Sequence, residues 1–121
     1  MRPSETKHHP RRGEVWLVNF NPGRGSEQQG IRPALVIQND IGNQHAATTI
    51  VAAITSTIKL YPVTVLLPGR SFGLHHDSMV NLAQLLTTDK TRLTKKLGQL
   101  DAETMPAVDR ALAVSLGLGA N

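Results

Sequence analysis

The eight residues Thr48–Thr55, TTIVAAIT, constrain the fold more than any other stretch of the chain. They are β-branched and apolar at positions that alternate between the two faces of a strand, so both faces need cover. That predicts a buried central strand. Residues 14–20 (EVWLVNF) are rich in β-formers and read as a first strand. Asn21-Pro22-Gly23-Arg24-Gly25 is turn chemistry and opens a loop running out to Gly30. Residues 33–38 (PALVIQ) form a short apolar run closed by Asn39-Asp40-Ile41-Gly42-Asn43. Residues 61–67 (YPVTVLL) alternate between prolines and fit an edge strand. Residues 78–86 predict a strand bent near Ala83, and residues 93–100 a last short one.

From Asp101 the periodicity becomes helical, with Met105, Val108, Ala111, Leu112 and Leu116 on one stripe that stops at Gly117 and Gly119. Asp101 suits an N-cap, but the ring of Pro106 would then crowd the Ala102 carbonyl. The first turn is therefore irregular, or the helix begins near Thr104. Strands first and a helix last predict a mainly β domain, a small, strongly bent antiparallel sheet or barrel.

A chain of 121 residues holds one domain. Its aromatic residues are Trp16, Phe20, Tyr61 and Phe72 alone, so the core must be Val, Leu, Ile and Ala. With no cysteine there is no disulfide and no thiolate metal site. No apolar run approaches membrane-spanning length, and the opening MRPSETKHHPRR lacks the apolar core of a secretory signal, which makes the cytoplasm the default location. The net charge is +4, of which Arg2, Lys7, Arg11 and Arg12 against Glu5 place +3 in the first twelve residues. Residues 1–10 read as a disordered basic tail, and the body is nearly neutral.

Two side chains stand at strand ends. Arg32 precedes Pro33, which biases its backbone to an extended shape, and a guanidinium there can fork onto a phosphate. The plainer reading is a surface arginine bridging a loop carboxylate such as Glu27. Thr55 closes the apolar run, and its plainer role is a hydrogen bond to nearby backbone. His75-His76-Asp77, with His8, His9 and His45 elsewhere, is the competing cluster. Adjacent histidines on a strand point to opposite faces, and no metal-binding spacing accompanies them, so a solvated turn with His76 at a groove edge is the expectation, without metal.

The block GSEQ–G–RP–L–IQND–GN followed by TIVAAIT closely resembles the MazF/PemK family of toxin endoribonucleases. Arg12-Gly13-Glu14-Val15-Trp16 resembles that family's opening strand; Gly73-Leu74, Asp77-Ser78 and Gln84 resemble its central stretch. Asp89-Lys90, Arg92-Leu93 and Val108-Asp109 through Leu116-Gly117-Leu118 resemble its C-terminal half, so the likeness covers residues 11–118 as a single toxin domain.

The resemblance implies an SH3-like antiparallel β-barrel with short helices and a C-terminal helix, assembled as a homodimer. It implies metal-independent, cofactor-free and sequence-specific cleavage of single-stranded RNA, with messenger RNA as the target, to 2′,3′-cyclic phosphate and 5′-hydroxyl ends. It makes Arg32 and Thr55 the catalytic pair and an acidic antitoxin the silencing partner. RNA brings its own nucleophile, the 2′-hydroxyl, so the protein need only position it, move protons and stabilise charge at phosphorus. Arg32 suits the last task and is a poor base unless the proton passes through water or a phosphate oxygen. Ser26, Glu27 and Gln28 would gate the groove and touch bases, and Gln84 would read a base edge. Trp16 and Phe20 fit core or dimer packing better than base stacking. Ala83 and Leu86 depart from the acidic and basic residues common in relatives, which bears on specificity. The alternatives are a toxin of similar fold that blocks DNA gyrase by binding, and a plain RNA-binding module.

Overall fold

The computed structural model describes residues 9–21 and 30–119; residues 1–8 of the expected tail and loop residues 22–29 lie outside them. Six strands, β1 (Glu14–Asn19), β2 (Ile31–Val36), β3 (Thr48–Thr55), β4 (Thr64–Leu67), β5 (Ser78–Asp89) and β6 (Leu93–Gln99), form one sheet in the order β4-β5-β3-β2-β1-β6. Every pairing is antiparallel. Helix α1 (Asp40–His45) links β2 to β3, and α2 (Met105–Leu116) ends the chain.

β3 occupies the inner position its composition demands. Its neighbours are β5 and β2, and Val51, Ala52, Ala53 and Ile54 are all buried. Two apolar clusters lie on its two faces. Val15, Leu35, Ala52, Ile54, Val80 and Leu82 share the larger with Val108 and Ala111 of α2; Val18, Phe20, Ala34, Val36 and Val51 form the smaller, with Trp16, Leu86 and Leu93 against it. Each fully buried Val or Leu of this kind contributes about 1.5–3 kcal/mol relative to exposure.

The sheet curls because its long strands carry extra residues. On β5 the pairing jumps from Ala52↔Leu85 to Ala53↔Asn81, leaving residues 82–84 unopposed. The Asn81 side chain accepts the Ala83 N–H there (2.9 Å), so the bend expected near Ala83 is a bulge of three residues. β6 likewise skips Leu97 and Thr94 against β1. Such bulges raise local twist, and the result is a half-barrel with β4 and β6 as its edges.

Boundaries differ from expectation for local reasons. β2 begins at Ile31 despite Pro33, because the β2–β3 ladder starts only at Ala34, where a missing N–H costs nothing. β4 begins at Thr64, because residues 61–64 are a turn: the Thr64 hydroxyl accepts the Tyr61 N–H (2.9 Å), and the Thr64 N–H donates to the Tyr61 carbonyl (3.0 Å). α2 starts at Met105. Asp101 accepts from the Thr104 N–H and hydroxyl (2.8 and 2.6 Å), holding a separate turn that lets Pro106 fall where no N–H is needed.

The IQNDIGN segment is scaffold. Asn39 caps α1 by accepting the Gly42 N–H (2.8 Å). Asn43 is buried, accepts from the Thr49 hydroxyl (2.6 Å) and Gln38 Nε2 (3.1 Å), and donates to the Gln38 carbonyl (2.9 Å). Asp40 accepts from the Arg12 N–H (2.7 Å) and from Asn43 Nδ2 (3.1 Å). The chain before β1 is thus tied to α1.

The edges are joined by backbone contact. Phe72–Gly73 lies directly on Leu97–Gly98, so closely that a Cβ on Gly98 would overlap the Phe72 carbonyl and one on Gly73 the Leu97 carbonyl. Gly73 also has φ +84°, which glycine adopts at least cost. The β4–β5 connection is therefore seated on β6.

Three outcomes follow. Gly98→Ala lowers unfolding free energy by about 1–3 kcal/mol; an unchanged denaturant midpoint contradicts the contact. Asn43→Ala costs at least about 1–3 kcal/mol by stranding the Thr49 hydroxyl and Gln38 groups, and a denaturation curve superimposing on the wild type overturns that role. The Arg12 N–H bonded to Asp40 lowers that carboxyl's pKa from its ordinary value, so the folded state favours its charged form. This stabilisation is complete above the unfolded carboxylate value and disappears as pH falls through the lower folded one. Melting temperatures of wild type and Asp40→Asn therefore converge in acid; a constant gap down to the lowest pH argues otherwise.

Candidate active site

The sheet register fixes where Arg32 and Thr55 meet. β2 and β3 pair as Ala34↔Ala53, Leu35↔Ala52 and Val36↔Val51. Carried on to the strand ends, that register sets Arg32 across from Thr55. Facing residues of an antiparallel pair share a face and lie within side-chain reach. Both line one cleft of about 400 Å³.

The cleft sits where the larger apolar cluster opens to solvent. Leu17, Pro33, Ile54, Leu74 and Leu97 supply its apolar wall, with Ile54 and Leu74 buried. Arg32, Ser56, His75, His76 and Lys95 are exposed at its mouth, and Thr55 is half-buried between them and the wall. Lys95 comes from the sheet edge β6 and the histidines from the β4–β5 connection; the Phe72–Gly73 seat on Leu97–Gly98 brings these two segments together.

Among the described residues the lining includes no carboxylate. Two permanent-type cations, two imidazoles and three hydroxyls around an apolar wall suit a phosphodiester with an attached base or sugar. The Thr55 oxygen accepts the Thr57 N–H (3.1 Å), the backbone bond its strand-end position suggests. That bond orients the hydroxyl and leaves its own proton to donate outward. Among the described residues no three His, Asp or Glu side chains group as metal ligands.

The remaining expected residues divide. Gln84 is half-buried within the β5 bulge and is not part of this lining. Ser26, Glu27 and Gln28 lie outside the described residues. The base of their loop is fixed: Gly30 N–H donates to Asn21 Oδ1 (2.8 Å), Phe20 N–H to the Gly30 carbonyl (2.8 Å), and Arg92 to the Asn19 and Asn21 carbonyls. Trp16 and Phe20 pack in the smaller cluster, and Leu86 joins them there, whereas Ala83 is exposed on the bulge.

Lys95 escaped the sequence reading, since a lone lysine on a charged strand carries no spacing signal. The solvated turn expected for His75 and His76 is an exposed bend. Strand alternation does not apply there, and both residues line the cleft, His75 as well as the expected His76.

The chain is 48% identical over 110 residues to the endoribonuclease EndoA of Bacillus subtilis (strain 168), covering 89% of this chain and 95% of that protein. Among solved structures it resembles an endoribonuclease in complex with its cognate antitoxin from Mycobacterial species (TM-score 0.79, 29% identity, 93% of this chain and 99% of that one). It is equally like MazF from Deinococcus radiodurans (TM-score 0.78, 29% identity, 93% and 100% coverage). Residues 11–116 match the profile of the PemK-like, MazF-like toxins of type II toxin–antitoxin systems, and the chain belongs to that family.

Proposed function

We propose that this chain is an endoribonuclease toxin that cuts single-stranded RNA without a metal ion, with Arg32 and Thr55 as its catalytic pair. The observation that carries the reading is that both residues line one cleft whose described lining has no carboxylate. Arg32 forks onto the non-bridging oxygens of the scissile phosphate and stabilises the charge that grows there as the 2′-oxygen attacks. Thr55 holds a phosphate oxygen or the departing oxygen by a hydrogen bond from its hydroxyl, whose oxygen already accepts the Thr57 N–H. The products are a 2′,3′-cyclic phosphate and a 5′-hydroxyl, because the attacking group belongs to the RNA itself.

Ser26, Glu27 and Gln28 close over the RNA and read bases beside the cleft, and Gln84 reads a base edge with its amide. Messenger RNA in the cytoplasm is the substrate. An acidic antitoxin segment silences the enzyme by covering the same cations; relatives solved with antitoxins, including MazE–MazF from Deinococcus radiodurans, support that partner. A homodimer is supported by apolar side chains left exposed, among them Leu60 and Tyr61 before β4 and Val114, Leu116 and Leu118 at the end of α2.

Purified protein incubated with a long single-stranded transcript in EDTA should release fragments with cyclic-phosphate ends. Arg32→Ala should slow this by about 10²–10³-fold, and Thr55→Val by a smaller but measurable factor. Intact RNA with active wild-type protein, or undiminished cutting by Arg32→Ala, defeats the reading. Blocked gyrase supercoiling with intact RNA points to the binding toxin instead.

A further inference from the structure

RNA cleavage by a 2′-hydroxyl needs one group to take a proton and another to give one. Arginine and lysine side chains hold their protons at neutral pH as a rule, and an alcohol is a weak base. Arg32, Lys95 and Thr55 therefore supply no side chain that readily takes a proton directly. Imidazole is the side chain suited to both directions near neutral pH.

We propose, resting on the RNA-cleavage reading, that His75 and His76 are the general base and general acid of this cleft. Both line it together with Arg32 and Thr55, and both are exposed to incoming substrate. Their backbone is firmly held. The Gly69 N–H donates to Asp77 Oδ1 (2.7 Å), the Arg70 N–H to the Leu74 carbonyl (2.7 Å), and the Ser78 hydroxyl to the His76 carbonyl (2.9 Å). The Gly73–Gly98 contact pins the same segment to β6.

The neutral imidazole takes the 2′-hydroxyl proton as that oxygen bonds to phosphorus. The bond from phosphorus to the 5′-oxygen breaks, and that oxygen takes a proton from the imidazolium. The two rings then exchange protons with solvent before the next turnover, so the step balances without any co-reactant. Arg32 of β2 and Lys95 of β6, which line the same cleft, and Asp77 next in the chain are the charged groups around the pair. A base that must be neutral and an acid that must be protonated give a bell-shaped rate profile.

Single-turnover cleavage of a defined transcript from about pH 5 to 9 tests this with wild type, His75→Gln, His76→Gln and the double variant, each checked for folding by its melting curve. The wild type should give a bell, loss of either limb in a single variant supports the assignment, and the double variant should be slower by about 10²-fold or more. If the wild type cuts RNA and the double variant keeps its pH profile, the proposal fails even where the rate drops, because that marks a merely structural role. If the wild type cuts nothing at any pH, the underlying RNA-cleavage reading fails with it.

Discussion

The pairing of β2 with β3 is the constraint on which the rest depends. Ala34, Ala52 and Ala53 keep this ladder small-sided, and Leu35, Val36 and Val51 fill the two apolar layers around it. A slip of one residue would move every core side chain to the wrong face. The same slip would separate Arg32 from Thr55. Burial of the pair's interior thus fixes the geometry at its open end, and the site inherits its precision from the core.

Opposite sheet edges are made to cooperate by a second device. In a flat sheet of this strand order Lys95 and the His75–His76 bend would lie far apart. Bulges in β5 and β6 curl the sheet, and Gly73 and Gly98 let two backbones touch. Small residues at that seat are what permit a cleft with cations from β2 and β6 and imidazoles from the β4–β5 connection.

Much of this was legible in the chain. TTIVAAIT declared a strand covered on both faces, and Arg32 and Thr55, singled out at strand ends, line one cleft. The bend near Ala83 was visible as a break in alternation. Other features were hidden because they arise from tertiary contact. Nothing in residues 61–63 shows that the Thr64 hydroxyl will turn the chain and shorten β4. The short helix α1 is set by the Asn39 cap and a buried Asn43 network, and IQNDIGN owes its pattern to that network. Lys95 and His75 acquire meaning only when the sheet curls.

The most direct test of the central claim is a crystal structure of this chain with an RNA oligonucleotide that carries a 2′-deoxy sugar at the cleaved position, which blocks reaction without removing the phosphate. The scissile phosphate should lie within hydrogen-bonding distance of both the Arg32 guanidinium and the Thr55 hydroxyl, with its flanking sugar against the Pro33–Ile54 wall. An oligonucleotide bound on another face, with that cleft filled by solvent, contradicts it.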